Sequence, residues 1–256
     1  MKLKASFYIL LNLCLLFLII SGLYSFTEKK SDNPSKTILL IPYQTVMHLS
    51  DADADIAEYS KINVRQVRVK IRNSVTEQLS LSLRENYLVR MLTESGTKKE
   101  RNDLDDFLSA ENFHLGKIDA ANQDMTADTS RGNNPYFSFI KKNNSTDYNS
   151  SYMNVSFSKP VFLQKLANNY EADYFVVLTQ FEIKTHYNEC IDVANRIFRR
   201  EFRLHYAVFD AGGNPIGGSY ASSDADSDMN SVNKITGNIF PELVKKVCDK
   251  VALSIK

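Results

Sequence analysis

His48-Leu-Ser-Asp51-Ala-Asp53-Ala-Asp55 is the densest group of potential ligands in the sequence. Alternate carboxylates after an apolar run can hold a hard divalent cation through oxygen, the chemistry of a metal-dependent hydrolase or transferase. The calcium-loop pattern fails at two places. Ile56 stands where the sharp turn needs glycine, and Ile62 where a bidentate Glu is needed. The competing reading is electrostatic: carboxylates before a helix are favoured by its positive N-terminal dipole, and a long helical pattern follows. The same argument covers Asp224, Asp226 and Asp228 before the last helix. The sequence thus assigns no metal and no cofactor, and Asp51, Asp53 and Asp55 are the candidates should a cation bind.

Arg65, Arg68 and Arg72 are three and seven positions apart, which puts them on one helical face. They are the candidates for gripping an acidic partner or a phosphate, against the ordinary alternative of a solvated face. The four histidines, His48, His114, His186 and His205, show no HExxH spacing, and no GxSxG marks a nucleophile. His186 and His205 fall on the polar side of an alternating pattern, where pairing with charged neighbours is the simpler role. Gly212, Gly213, Gly217 and Gly218 lack a phosphate-loop lysine and read as turns. No catalytic residue is assigned; the residues favour a non-catalytic role, with a divalent-metal-dependent hydrolase or transferase on Asp51, Asp53 and Asp55 as the alternative.

The patterns that would position these residues begin with Thr37-Ile-Leu-Leu-Ile-Pro42, a short apolar run that suits a buried strand. Val64, Val67, Ile71 and Val75 open a helix that the spacing carries to about Leu92, with Ser95-Gly96 ending it. Residues 96–158 are the least patterned part and read as a loop-rich insertion. Within it, Asp103 to Leu108 make a helical turn and Tyr152 to Phe157 a strand. Residues 120–151, rich in Asn, Asp, Ser and Thr, bury too little to offset their ordering entropy and read as an open loop sensitive to nicking. Asn143, Asn144 and Asn149 in this loop and Asn154 just after it begin N-x-Ser/Thr triplets, which such a composition generates by chance.

Pro160 opens a helix to Tyr170. Odd positions from Phe175 to Tyr187 and even positions from Phe198 to Val208 are largely apolar, which reads as two half-buried antiparallel strands. Pairing Glu182 with Arg203 and Lys184 with Glu201 matches opposite charges. It also brings Phe181 to Leu204, Ile183 to Phe202 and Tyr187 to Phe198. A turn at 210–215, a third strand over 216–222 and a helix from Ser231 complete the pattern. That helix has an apolar face of Ile235, Ile239, Leu243, Val247 and Val251, and Pro241 kinks or breaks it.

The balance of 31 basic and 30 acidic residues argues against nucleic acid, which selects a basic excess. Lys2 and Lys4 precede the apolar run Phe7 to Leu23, the layout of a secretory signal cut after Ser25. The run also reaches the lower length for spanning a bilayer, so an uncleaved inner-membrane anchor is the second reading and the only membrane contact expected. Residues 1–25 are therefore signal or anchor, 26–36 a polar tether, and 37–256 a single α/β domain. Cys190 and Cys248 are too few for a disulfide scaffold, and the strand order places them at different heights of the sheet, unbonded.

KTILLIPY at the first strand, Ala172-Asp173-Tyr174 opening the second, and FRLHYAVFDAGGNPIGGS across the later hairpin resemble one recurrent envelope fold. It is that of the curli-secretion lipoprotein, the penicillin-binding-protein activator lipoproteins and the amino-terminal domain of TolB. The resemblance covers roughly residues 37–95 and 160–256; no lipid-bearing cysteine is present, and the 96–158 segment is extra. It implies an α/β (α+β) class with a mainly antiparallel sheet and helices packed on one face. It also implies export to a bacterial periplasm or envelope and a non-catalytic accessory or adaptor role toward another envelope protein.

Overall fold

The computed structural model describes residues 36–118, 151–159 and 161–255. The apolar run of 7–23, the tether before Lys36, the loop of 120–150, three of the four Asn triplets and Pro160 lie outside the described residues.

The chain enters on β1 (Thr37–Ile41), whose five residues are all buried. A short β2 (His48–Ser50) and α1 (Asp53–Ser60) lead to α2 (Val64–Leu83) and the edge strand β3 (Leu88–Met91). α3 (Lys98–Ala110) runs into β4 (Glu111–Lys117), which pairs antiparallel with β5 (Ser151–Phe157). α4 (Val161–Tyr170) then feeds three long strands, β6 (Tyr174–Asp192), β7 (Ile197–Asp210) and β8 (Pro215–Asp226). One α-helical turn (Val232–Lys234) and a π-helical turn (Ile235–Ile239) precede α5 (Phe240–Ser254).

The main sheet is ordered β3-β1-β6-β7-β8, with β2 continuing beside β6 beyond the end of β1. β1 is parallel to β3 and β6, whereas the longer β6–β7 and β7–β8 ladders are antiparallel. The expected α/β class with a mainly antiparallel sheet therefore holds. The charge-matched register holds too: Glu182 faces Arg203, Lys184 faces Glu201, Phe181 faces Leu204 and Ile183 faces Phe202. It fails at Tyr187, because the register shifts between His186 and Cys190 and brings Cys190 opposite Phe198. The Tyr187 and Phe198 rings still meet, with centroids 5.4 Å apart.

Helices pack on both faces of the sheet, not on one. On the first face Ile38, Leu40, Val176, Phe181 and Leu204 meet the stripe Val67, Ile71, Val75 and Leu79 of α2, and Leu243, Val247 and Val251 of α5. On the second, Leu39, Ile41, Phe175, Val177 and Phe209 meet Leu104 and Phe107 of α3, Leu163 and Leu166 of α4, and Val155 of β5. The continuous apolar run of β1 is the mark of this double burial. Odd residues of β6 do not share one face throughout. A bulge between Leu178 and Gln180 switches the parity, so Phe175 and Val177 point opposite to Phe181 and Ile183.

The helix read as running to Leu92 stops at Leu83. Leu88 continues the helical spacing, but the backbone of 88–91 is used by β1 instead. The long helix is capped by Asn63, whose side chain takes the Gln66 N–H while the Gln66 side chain takes the Asn63 N–H. A second such box, Thr97 with Glu100, opens α3 inside the segment that reads as loop-rich. Pro241 lies at the start of α5 directly after the π turn, where the Phe240 N–H reaches back to the Ile235 carbonyl. Cys190 and Cys248 are both free, the first exposed on β6 and the second partly covered on α5.

Candidate functional site

The three carboxylates of the acidic turn do not converge. Asp51 turns to β6, where it accepts from the Thr185 N–H (2.9 Å) and the Thr185 hydroxyl (3.1 Å). Asp53 is buried and accepts from His48 Nε2 (3.1 Å) and Arg68 Nε (2.7 Å). Asp55 is exposed in the first turn of α1. Among the described residues no group of three or more His, Cys, Asp or Glu side chains could hold a metal ion. The hydrolase reading thereby loses its ligand set. The carboxylates serve the fold: they favour the start of α1, a helix the sequence reading does not contain, and they neutralise buried cations. Burial pushes Asp53 up, but His48 and Arg68 outweigh it and hold the carboxyl below its ordinary value. A carboxylate only accepts, so His48 carries its proton on Nε2, and Nδ1 is left facing the Tyr43 hydroxyl at 3.3 Å.

The basic helix face is not a free patch either. Arg68 is taken by Asp53, and Arg72 is buried with one nitrogen 2.6 Å from Glu94. Only Arg65 stays exposed. Alternation alone does not single out Arg200. It is buried, it donates to Asn230 Oδ1 (2.8 Å) and to the Thr185 hydroxyl (3.3 Å), and Asp51 and Asp55 supply countercharge. Burial nevertheless leaves its guanidinium below the usual value.

The polar side of the β6–β8 strands lies on the second face, and it is buried rather than solvated. Gln180, Glu201, Arg203 and His205 are all buried. The sequence reading leaves this side half open because the cover comes from far along the chain: β5 lies across it. The Met153 N–H donates to His205 Nδ1 (2.9 Å), and its carbonyl accepts from the Thr179 hydroxyl (2.6 Å). Gly218 makes that crossing possible, since a Cβ there would sit 2.5 Å from the Tyr152 hydroxyl. Gly217 and Gly218 are thus strand residues, not turn residues, whereas Gly213 does take the left-handed φ of 82° in the 210–215 turn.

Charges on this face pair in a chain. His186 Nε2 lies 3.2 Å from Glu201, whose other oxygen takes Arg203 (2.9 Å), and Arg203 stacks 4.0 Å from the centre of the Tyr220 ring. Burial raises the Glu201 carboxyl, but His186 and Arg203 outweigh it and draw it down to about 2. A paired chain of this kind fixes the register of the strands it links.

Past His186 and Arg199 the β6–β7 pair runs on as a two-stranded ribbon, beyond the ends of β2 and β8. Its side chains Tyr187, Ile191 and Val193 are 66%, 50% and 82% exposed. Their signal in the sequence is a lapse: apolar residues persist where the alternation stops. Arg199 braces the base of the ribbon by holding Glu189 (2.7 Å) and Asp224 (2.7 Å).

No protein-family model matches the sequence, and no curated protein matches it. Solved structures do show likenesses. One is the PelC dodecamer from Paraburkholderia phytofirmans, at 6% identity over 82% of this chain and 86% of that one, with a TM-score of 0.32. Another is the hypothetical protein CT253 from Chlamydia trachomatis, at 14% identity, 85% and 98% coverage and a TM-score of 0.37. The lipoprotein GNA1162 from Neisseria meningitidis stands at 12%, again 85% and 98%, with a TM-score of 0.31. All three are bacterial, and one is a lipoprotein.

Proposed function

We propose that the chain is an exported, non-catalytic accessory protein of a bacterial cell envelope, acting as an adaptor whose β6–β7 ribbon contacts another envelope protein. The observation that carries the contact is the exposure of Tyr187, Ile191 and Val193 at the far end of a ribbon that the sheet does not cover. Exposed apolar groups gathered on one protruding feature are the mark of an interaction site rather than of a solvated tip. From Tyr187 to Phe198 the only charged residues are Glu189, Asp192 and Arg196, which suits a protein surface better than an anionic membrane. Export rests on the charged start and apolar run of the first 25 residues. Photo-crosslinking at positions 191 and 193 in cells tests the reading, with the exposed Leu81 of α2 as control site. The expected result is one heteromeric product from the ribbon positions and none from position 81. Equal labelling at all three, or a product of two copies of this chain, would overturn it.

A further inference from the structure

His205 has one proton to place and two demands on its ring. Nδ1 accepts a backbone N–H, which leaves the ring's one proton on Nε2, 3.3 Å from Glu182 Oε1. That N–H belongs to Met153 and fills the Nδ1 lone pair at 2.9 Å. Leu115 of β4 is the register partner of Met153, whose N–H and carbonyl point away from β4 to His205 and Thr179 of the main sheet. A second proton on the imidazole has only Nδ1 to go to, where a donor already points. The imidazolium and the Met153 hydrogen bond exclude each other.

We propose that His205 is a proton-released latch, holding β5 across the second face of the sheet while its ring is neutral and letting β5 lift at Met153 when the ring takes a proton. The groups around the ring are Glu182 on β6, Glu201 and Arg203 on β7, Tyr220 on β8 with Lys250 of α5 behind it, and Tyr152 on β5. Burial opposes the cation most strongly; Glu182 and Glu201 favour it and Arg203 opposes it. The balance holds the ring below its ordinary value, so the neutral ring and the closed latch are favoured at neutral pH, and acidification works against them. Opening uncovers the paired polar face of β6–β8. The inference does not rest on the adaptor reading and needs no partner for its test.

Hydrogen exchange of the full chain, corrected for intrinsic rates and compared at about pH 7.5 and about pH 5.5, reads the latch directly. The Met153 amide of β5 should lose protection by about tenfold on acidification, while the amides of 202–208 in β7 hold. His205→Gln offers a carbonyl to the same N–H but cannot titrate, so its Met153 protection should not change with pH. Wild-type Met153 protection that tracks β7 would overturn the proposal, and so would a His205→Gln variant with the same loss as wild type. Should that variant fail to fold, ring 15N shifts of the wild-type protein decide. An unprotonated Nδ1 near neutral pH, charging together with loss of the Met153 amide, supports the latch; a proton on Nδ1 near neutral pH sinks it.

Discussion

Glu111 shows how a side chain outside any catalytic arrangement can set a pH dependence. It follows the last residue of α3, and burial pushes its carboxyl from 4.5 up to about 7, partly offset by the Gln44 amide that donates to it at 2.8 Å. Gln44 also donates to the Leu108 carbonyl at 2.7 Å, so one amide ties the β1–β2 connection to the end of α3. The folded value lies above the unfolded one, so the protonated form is the stable form. This contribution is present below about pH 4.5 and is lost as pH rises through about 7. Glu111→Gln should remove a loss of about 3 kcal/mol over that window, making stability flatter with pH. Denaturation midpoints of both proteins across the window check this; parallel curves would contradict it. Nothing in the sequence around Glu111 announces the shift, because the burial comes from side chains distant along the chain.

The strands were the most legible part of the molecule, and for a physical reason. Charges at Glu182, Lys184, Glu201 and Arg203 match in only one register, and a one-residue slip would bury the wrong set. Legibility ended where tertiary contacts overrode local pattern. Leu88 keeps helical spacing yet lies on β3, because β1 needs an edge partner. The parity switch near Thr179 is hidden because Val176 and Leu178 are as apolar as Phe175 and Val177. The acidic turn and the arginine face looked like sites because unpaired charge looks alike before its partner is known. Only the fold supplies His48 and Arg68 to Asp53, and Glu94 to Arg72. Gly218 is the clearest case of a residue explained by a distant strand. Gly218→Ala should cost about 2 kcal/mol through overpacking against Tyr152. Truncating the ring with Tyr152→Leu should make the two changes less than additive, as a double-mutant cycle in chemical denaturation would show. Full additivity would mean that β5 does not press on β8 there. The far edge of the sheet is guarded by other means: Lys246 and Lys250 of α5 donate to the Ser222 and Tyr220 carbonyls of β8, each at 2.8 Å.

β6 joins the two ends of the molecule. Its first residue, Tyr174, is the register partner of Ile38, close to where the chain enters, and its last residues form the exposed ribbon about 60 Å of strand away. Asp173 closes the entry: its carboxylate takes the Thr37 N–H at 2.7 Å, and its own N–H reaches the Thr37 carbonyl at 2.9 Å. Because β1 and β6 are parallel, a pull on Lys36 opposed by a grip on Val193 drags the two strands past each other lengthwise. Every bond of the ladder then shares the tension, where peeling from an edge would break them one at a time. The β1–β6 seam is therefore built to bear load along its strands. Single-molecule stretching between positions 36 and 193 should need a higher force than stretching between 193 and 226 at the end of β8. Equal forces would show that the β1–β6 seam is not what resists.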